Sequence, residues 1–378
     1  MPDRPNIIYI VCHDLGRSLG CYGNGFTSPQ LDRFAQEGVL LANANCASNA
    51  CSPSRGCVWT GQYAHTNGLM GLVNRGWTLP AERLTIVDHL KAAGYHTAIS
   101  GLDHIRRNRA DLRVDEDLEQ TARTAASVDA AIGFLKKRQD NDQPFYLNVG
   151  LREVHPSQWA TYHAGGLRET ENPLIDHYGR AFPDEAPLPP TYADHPACRR
   201  EVANFNACIA YMDFHLGRLF NAIDRLGYRD NTLVMFTTDH GIEGMRGKSF
   251  LYQPGTEIAC LMRGPGITPD TRFDPLVSNI DFTPTFLEAA GADIPDAIQG
   301  KSFWPALTGK PYEPHEAIFA ERNYHGPAQG TWDDGLPDNF IPSRSIQTDR
   351  WLLIRVYSEA IHAQWTPETI PELTDPFP

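Results

Sequence analysis

The chain lacks most features that would place it outside ordinary globular enzymes. Its eight cysteines are spread over 378 residues, too sparse for a disulfide scaffold, and none stands in a CxxC pair that could form a metal knuckle. Lys and Arg never cluster densely with interleaved aromatics, and a formal net charge of −13 disfavours nonspecific binding to nucleic acid or anionic membranes. No apolar run approaches the length of a membrane span. The first, in MPDRPNIIYIVC, is cut short by polar residues and reads as a core strand rather than a leader. With unpaired thiols, of which Cys12, Cys208 and Cys260 read as buried, this points to the cytoplasm. A P-loop and a GxSxG elbow are also missing, as are internal repeats and low-complexity segments.

What is present alternates strand with helix. Asn6–Val11, Thr97–Ser100, Phe145–Val149, Thr232–Thr237 and Ile258–Met262 read as strands, the first a continuous apolar run suited to the middle of a parallel sheet. Helices are expected after Ser28 (as cap) to Gly38, over 84–93 with Gly94 as stop, over 121–138, and over 199–226 ending at Gly227. Residues 156–198, rich in Pro, His, Tyr and Asp, read as a lid or binding loop. The pattern predicts a mostly parallel α/β sheet, in which ligands bind beyond the carboxyl ends of strands. Two strands end in metal-competent pairs, His13–Asp14 and Asp239–His240.

The segment Cys51-Ser52-Pro53-Ser54-Arg55 reads locally as a helix start. Ser52 can cap, Pro53 fits the first turn, and the positive helix end then faces residue 51. A thiol there would be acidified, and Arg55 adds positive charge one turn on. Position 51 is thus either a place to collect negative charge or a structural cysteine. On the local pattern alone a partly buried structural cysteine is the favoured reading.

With Thr60-Gly61 following, the segment resembles the signature of the formylglycine-dependent sulfatases, C-x-P-S-R-x-x-x-x-T-G. NIIYIVCHDLG resembles that family's first strand and acidic turn, and NTLVMFTTDHG its second metal segment. IDFTPTFLEAAG and QGKSFWPALTG resemble its late helix and loop, so the likeness covers roughly residues 4–356. NGLMGLV and LYQPGTEIA look closest to the heparan N-sulfatase (sulfamidase) branch. The resemblance implies an alkaline-phosphatase-like α/β fold with helices flanking a mixed, mostly parallel sheet. It divides the chain into a catalytic domain, 1–340, and a short, reduced C-terminal remnant, 341–378, that could leave the pocket open or invite homo-oligomers.

It also implies a mechanism. Cys51 is oxidised to formylglycine by a formylglycine-generating enzyme and hydrated to a geminal diol. One hydroxyl attacks sulfur and expels the alcohol or amine. The other is deprotonated and expels sulfate, restoring the aldehyde. Asp14, Asp239, His240 and the modified Cys51 would hold one divalent metal. His13 would be a fifth ligand or only hydrogen-bond one. Arg55 would hold the diol and Lys248 the sulfate, unless Lys248 is a solvated surface residue. His104 and His155 match family histidines, although lone histidines are more often structural.

Departures at four positions bear on substrate and metal. Most relatives carry Asp at position 13 and many carry Asn at 240. Imidazole there favours manganese, iron or zinc over the family's calcium. Leu102 stands where the family has a sulfate-binding Lys, with Arg106 or Arg107 as candidate replacements. Arg152 stands where a first His is usual. The leading expectation is hydrolysis of a sulfate ester or sulfamate on a small molecule or saccharide. The alternatives are a phosphodiester or phosphonate monoester hydrolase, and a non-catalytic anion- or sugar-binding relative with unmodified Cys51.

Overall fold

Strand β1 (Asn6–Cys12) is buried along its whole length, and its side chains alternate between two cores: Ile8, Ile10 and Cys12 enter one, Ile7, Tyr9 and Val11 the other. It is the middle of an eight-stranded sheet in the computed structural model, which describes residues 4–155, 183–244, 246–324 and 340–357. The other strands are β2 (Val39–Asn45), β3 (His96–Gly101), β4 (Glu116–Glu119), β5 (Phe145–Gly150), β6 (Thr232–Thr238), β7 (Cys260–Arg263) and β8 (Thr271–Ser278). Their spatial order is β4-β3-β5-β1-β6-β7-β2-β8, and β7 alone in this sheet runs against its neighbours. The expected mostly parallel α/β architecture is therefore observed.

Helices are α1 (Pro29–Gln36), α2 (Cys51–Thr60), α3 (Ala64–Asn67), α4 (Ile86–Ala92), α5 (Thr124–Lys137), α6 (Pro196–Arg225), α7 (Gln253–Thr256), α8 (Phe282–Ala289) and α9 (Trp304–Leu307). Phe34, Val128 and Phe220 of α1, α5 and α6 pack on the first face, and Trp59, Leu90 and Phe286 of α2, α4 and α8 on the second. Two local readings need correction. Ser28 does not cap α1; its hydroxyl accepts from the Gly20 amide at 2.8 Å and donates to Asp32 at 2.9 Å. Ser52 does not cap α2 either, because the helix already begins at Cys51. By contrast, Thr85 and Asp88 form a reciprocal capping box at the start of α4.

Strands β2, β4 and β8 carry no clear sequence signal. β4 is acidic and β8 holds Pro275, which is tolerated because both are edge strands. Helix α6 starts at Pro196, inside the stretch read as a lid, and 156–182 lie outside the described residues. The stretch 343–357 is a hairpin. Strands β10 (Phe340–Gln347) and β11 (Leu352–Val356) pair with β9 (Ile318–Tyr324) in a small antiparallel sheet, ordered β11-β10-β9. No helix among the described residues is long and apolar enough to cross a membrane. All eight cysteines are unpaired, and Cys12, Cys208 and Cys260 are buried as expected.

Candidate active site

Strands β1 and β6 are parallel neighbours with Cys12 opposite Thr238, so His13–Asp14 and Asp239–His240 leave the sheet side by side at its carboxyl edge. Asp14 sits in the left-handed region at φ 57°, a conformation costly for a non-glycine residue, and its amide donates to Asp239 Oδ1 at 3.1 Å. The start of α2 lies over this edge. Cys51 Sγ is 3.4 Å from His240 Nε2 and 3.9 Å from His13 Nδ1. His13, Asp14, Cys51, Asp239 and His240 each present one ligand atom, all within 4.8 Å of one another, and all five residues are buried.

The remaining positions of the signature segment tie this cluster together. Ser52 Oγ accepts from the Val73 amide at 3.0 Å. Ser54 donates to the Asp239 carbonyl and accepts from Asn279 at 2.8 Å. Arg55, 3 % exposed at its side chain, donates to Asp239 Oδ2 at 3.1 Å and to the Cys12 carbonyl at 3.1 Å, so it braces the ends of both strands. Gly61 ends the helix at φ 65°, where a Cβ would come 2.8 Å from Ile298.

The donor set suits a cation. His240 Nδ1 lies 2.9 Å from the Gly241 carbonyl, which places its hydrogen there and leaves Nε2, 3.0 Å from Asp14, as a lone-pair donor. His13 Nδ1 is 2.7 Å from Asp14 and 3.3 Å from Asp239, inside the cluster rather than behind it. Burial opposes a charge on either imidazole, yet the Asp239 and Asp14 carboxylates prevail. They lift His13 to about 9 and His240 well above its ordinary value. Without an ion the two rings thus carry positive charge that a divalent ion would otherwise supply, and Nε2 of His240 becomes a lone-pair donor when such an ion displaces its proton. Two carboxylates and two imidazoles make a set in which transition metals compete with calcium. Burial also opposes ionisation of Cys51, but His13, Lys248 and His240, with a hydrogen bond from His104, hold the thiol well below its usual range. Neighbouring cations thus add to the acidification expected from the helix end.

Lys248 is no surface lysine. Its side chain is 8 % exposed, and its ammonium lies 2.9 Å from Asp14, 3.4 Å from Glu243 and 3.4 Å from His155 Nε2. Burial disfavours its charge, but Cys51 and Asp14 outweigh that and raise its pKa. His155 responds the other way: burial is the main cause that lowers it to about 4, so it is neutral at pH 7. The rings of His13 and His155 meet edge to face at 4.7 Å, and those of His13 and His104 are 6.2 Å apart. His104, like Asp14, has φ 57°.

A cavity of about 440 Å³ opens above Cys51, lined by His13, His104, His155 and Lys248. Its wall also contains Leu72, Asn74, Arg75, Glu243 and Arg322, none of which the sequence reading singled out. They come from short connecting segments and from β9, and of them only Leu72 lies in a stretch quoted above, NGLMGLV. The candidate replacements for the missing Lys at 102 are elsewhere. Arg106 bonds the carbonyls of Arg83 and Asp111, and Arg107 that of Gly76.

Comparison with known proteins agrees with this geometry. The Sulfatase family profile matches residues 5–292, and that of the N-sulphoglucosamine sulphohydrolase C-terminal region matches 241–366. An ulvan-active sulfatase of Formosa agariphila is 26% identical over 94% of this chain and 66% of its own length. The N-sulphoglucosamine sulphohydrolase of Homo sapiens is 27% identical over 85% of this chain and 69% of its own. The chain thus spans about two thirds of the length of these relatives. Among solved structures, a phosphonate monoester hydrolase from Silicibacter pomeroyi superposes with TM-score 0.74 at 20% identity, covering 94% of this chain and 88% of that one. A protein solved with its substrate D-glucosamine-2-N,6-O-disulfate gives 0.72 at 21%, covering 94% and 89%. At such identities these two attest the fold alone. With the profile covering most of its length and the signature cysteine set among the metal-competent side chains, the chain belongs to the sulfatase family of hydrolases.

Proposed function

We propose that the chain hydrolyses a sulfate ester or sulfamate on a saccharide, using formylglycine made from Cys51 by a formylglycine-generating enzyme. The observation that carries this reading is the position of Cys51. Its sulfur faces both imidazoles of the metal-competent cluster and opens into the cavity beside Lys248. A divalent metal held by Asp14, Asp239, His240 and His13 would lower the pKa of a bound hydroxyl and offset sulfate charge. A formylglycine at 51 would supply, as its hydrate, a hydroxyl nucleophile and a second hydroxyl through which sulfate can be expelled, which a cysteine thiolate lacks.

The chain's own residues do the rest. Arg55 fixes the floor beneath position 51 through Asp239 and the Cys12 carbonyl. Lys248 points a buried ammonium at the place of the sulfate and is held there by Asp14. His104 and His155 line the cavity where the leaving oxygen or nitrogen would emerge, within reach of a proton transfer.

Two imidazoles in the metal-competent set also suit phosphodiester or phosphonate monoester hydrolysis, which is the second reading. Intact mass, elemental analysis and a panel of sulfated and phosphorylated aryl and sugar substrates test both. A loss of ~18 Da at Cys51, bound divalent metal and preference for sulfated sugars are expected. Preference for phosphonates or phosphodiesters would replace the first reading by the second. An unmodified, inactive protein isolated with an active formylglycine-generating enzyme present would end both.

A further inference from the structure

Arg322 belongs to β9, outside the sheet that carries the metal-competent pairs, yet it lines the cavity over Cys51. A bridge between Ser48 and Glu321 brings β9 there, and the Glu321 amide donates to the Ala47 carbonyl at 2.8 Å. Strand alternation then sends Glu321 and Arg322 to opposite faces. Glu321 is buried with Arg344 at 3.1 Å and His65 at 3.0 Å. Arg322 has no such partner. Its Nε is buried without a hydrogen bond, no carboxylate among the described residues pairs with it, and its guanidinium rests 5.5 Å from the Phe250 ring centroid. Burial alone lowers its pKa, to about 10.

A half-buried guanidinium without a counter-ion has lost hydration and gained nothing ionic in return, which a ligand anion would offset. Its planar fork suits a carboxylate or sulfate oxygen pair. The reacting sulfate is not the best fit. Lys248, held by Asp14 beside Cys51, already faces that place, whereas the Arg322 guanidinium comes from β9 and rests against the Phe250 ring. A cavity of about 440 Å³ also has room for a sugar unit beyond the reacting group.

We propose that Arg322 forms a separate anion subsite on the leaving-group side, taking a second sulfate or a carboxylate of a saccharide whose reacting sulfate sits at Cys51. This rests on the sulfatase reading of the site. The test compares a monosulfated hexosamine, its disulfated counterpart and a monosulfated disaccharide carrying a uronate. Binding is measured by calorimetry in a Cys51→Ala background, and kcat/KM in formylglycine-bearing enzyme. Arg322→Gln should lower the preference for one anionic probe over the monosulfated hexosamine about 10- to 100-fold, the worth of a charge-assisted hydrogen bond. Arg322→Lys should restore part of it. Which probe responds tells sulfate from carboxylate. Preferences unchanged in both variants, or all three affinities falling together, overturn the subsite. If wild-type enzyme hydrolyses none of the probes while the binding preference still depends on Arg322, the sulfatase reading fails and the subsite stands.

Discussion

At the floor of the cavity Cys51, Asp14, Asp239 and His240 are at most 3 % exposed, and each is held by at least one neighbour in the cluster. At the wall Asn74 and Arg75 are exposed and Arg322 lacks a counter-ion. The floor grows from two adjacent parallel strands and one helix start, so its geometry is as rigid as the core beneath it. The wall is assembled from a short loop and from a second sheet. The contrast teaches where chemistry and selectivity are kept apart: the floor fixes what reaction can occur, while the wall can vary without disturbing it.

The contrast breaks most sharply if the floor proves dispensable. Cys51→Ala should cut turnover on the order of 10⁴-fold or more while the melting temperature stays within a few degrees, because a small buried side chain is traded for a smaller one. Kinetics and calorimetry on the same preparation check both halves. Substantial residual turnover would remove Cys51 from the mechanism. Next in size is Lys248→Ala, expected to lower kcat/KM about 10²- to 10³-fold through loss of a buried, preorganised cation. A drop carried by KM alone would demote Lys248 to a ground-state contact.

The floor also makes a claim about pH. In metal-free protein the folded pKa of His13 is raised to about 9. Its stabilising contribution is therefore complete below the ordinary histidine value and fades as pH climbs from there through 9. That fading is worth about 3 kcal/mol. Asp14 and Asp239, held low against burial chiefly by His13, contribute above the ordinary carboxylate range and lose their part only in acid. His13 and His240 together should therefore weaken metal-free protein between pH 6.5 and 9. The single Cys51 thiol, whose lowered pKa adds stability over the same range, opposes them, and the slope should flatten once a divalent ion is restored. Denaturant titrations with and without chelator measure this. The same slope in His13→Ala would show that the imidazole is not its source.

The floor was largely legible in the sequence because each of its parts carries a local mark. Apolar runs end in His13–Asp14 and Asp239–His240, and the signature around Cys51 is compact. The wall carried no such mark. Arg322 reaches the cavity only because β9 bridges to Ser48, a contact that spans most of the chain. Strand β8 hid behind Pro275 and β4 behind its acidic residues, since edge strands need no apolar run. Ser52 was misread for the opposite reason. Local helix rules made it a cap, but its hydroxyl serves a tertiary contact, the Val73 amide at 3.0 Å.

That contact is where floor and wall are joined, and it yields the finest test of the comparison. Ser52 is fully buried beside Cys51, while Asn74 stands exposed on the turn that Ser52 anchors. Asn74→Ala removes one solvent-exposed polar group from the wall. It should raise KM roughly 2- to 10-fold, the range of an ordinary hydrogen bond, and leave kcat nearly unchanged, because such a contact binds ground and transition states alike. Ser52→Ala leaves the Val73 amide without its acceptor and should cost about 1–3 kcal/mol of stability. The signature tolerates any residue at that position, so modification of Cys51 should proceed, and mass spectrometry verifies it. With the anchor gone the wall loosens while the cluster below keeps its own bonds. KM should therefore again move more than kcat. Should kcat fall as steeply in Ser52→Ala as in Lys248→Ala, floor and wall are one mechanical unit, and the division drawn between them is wrong.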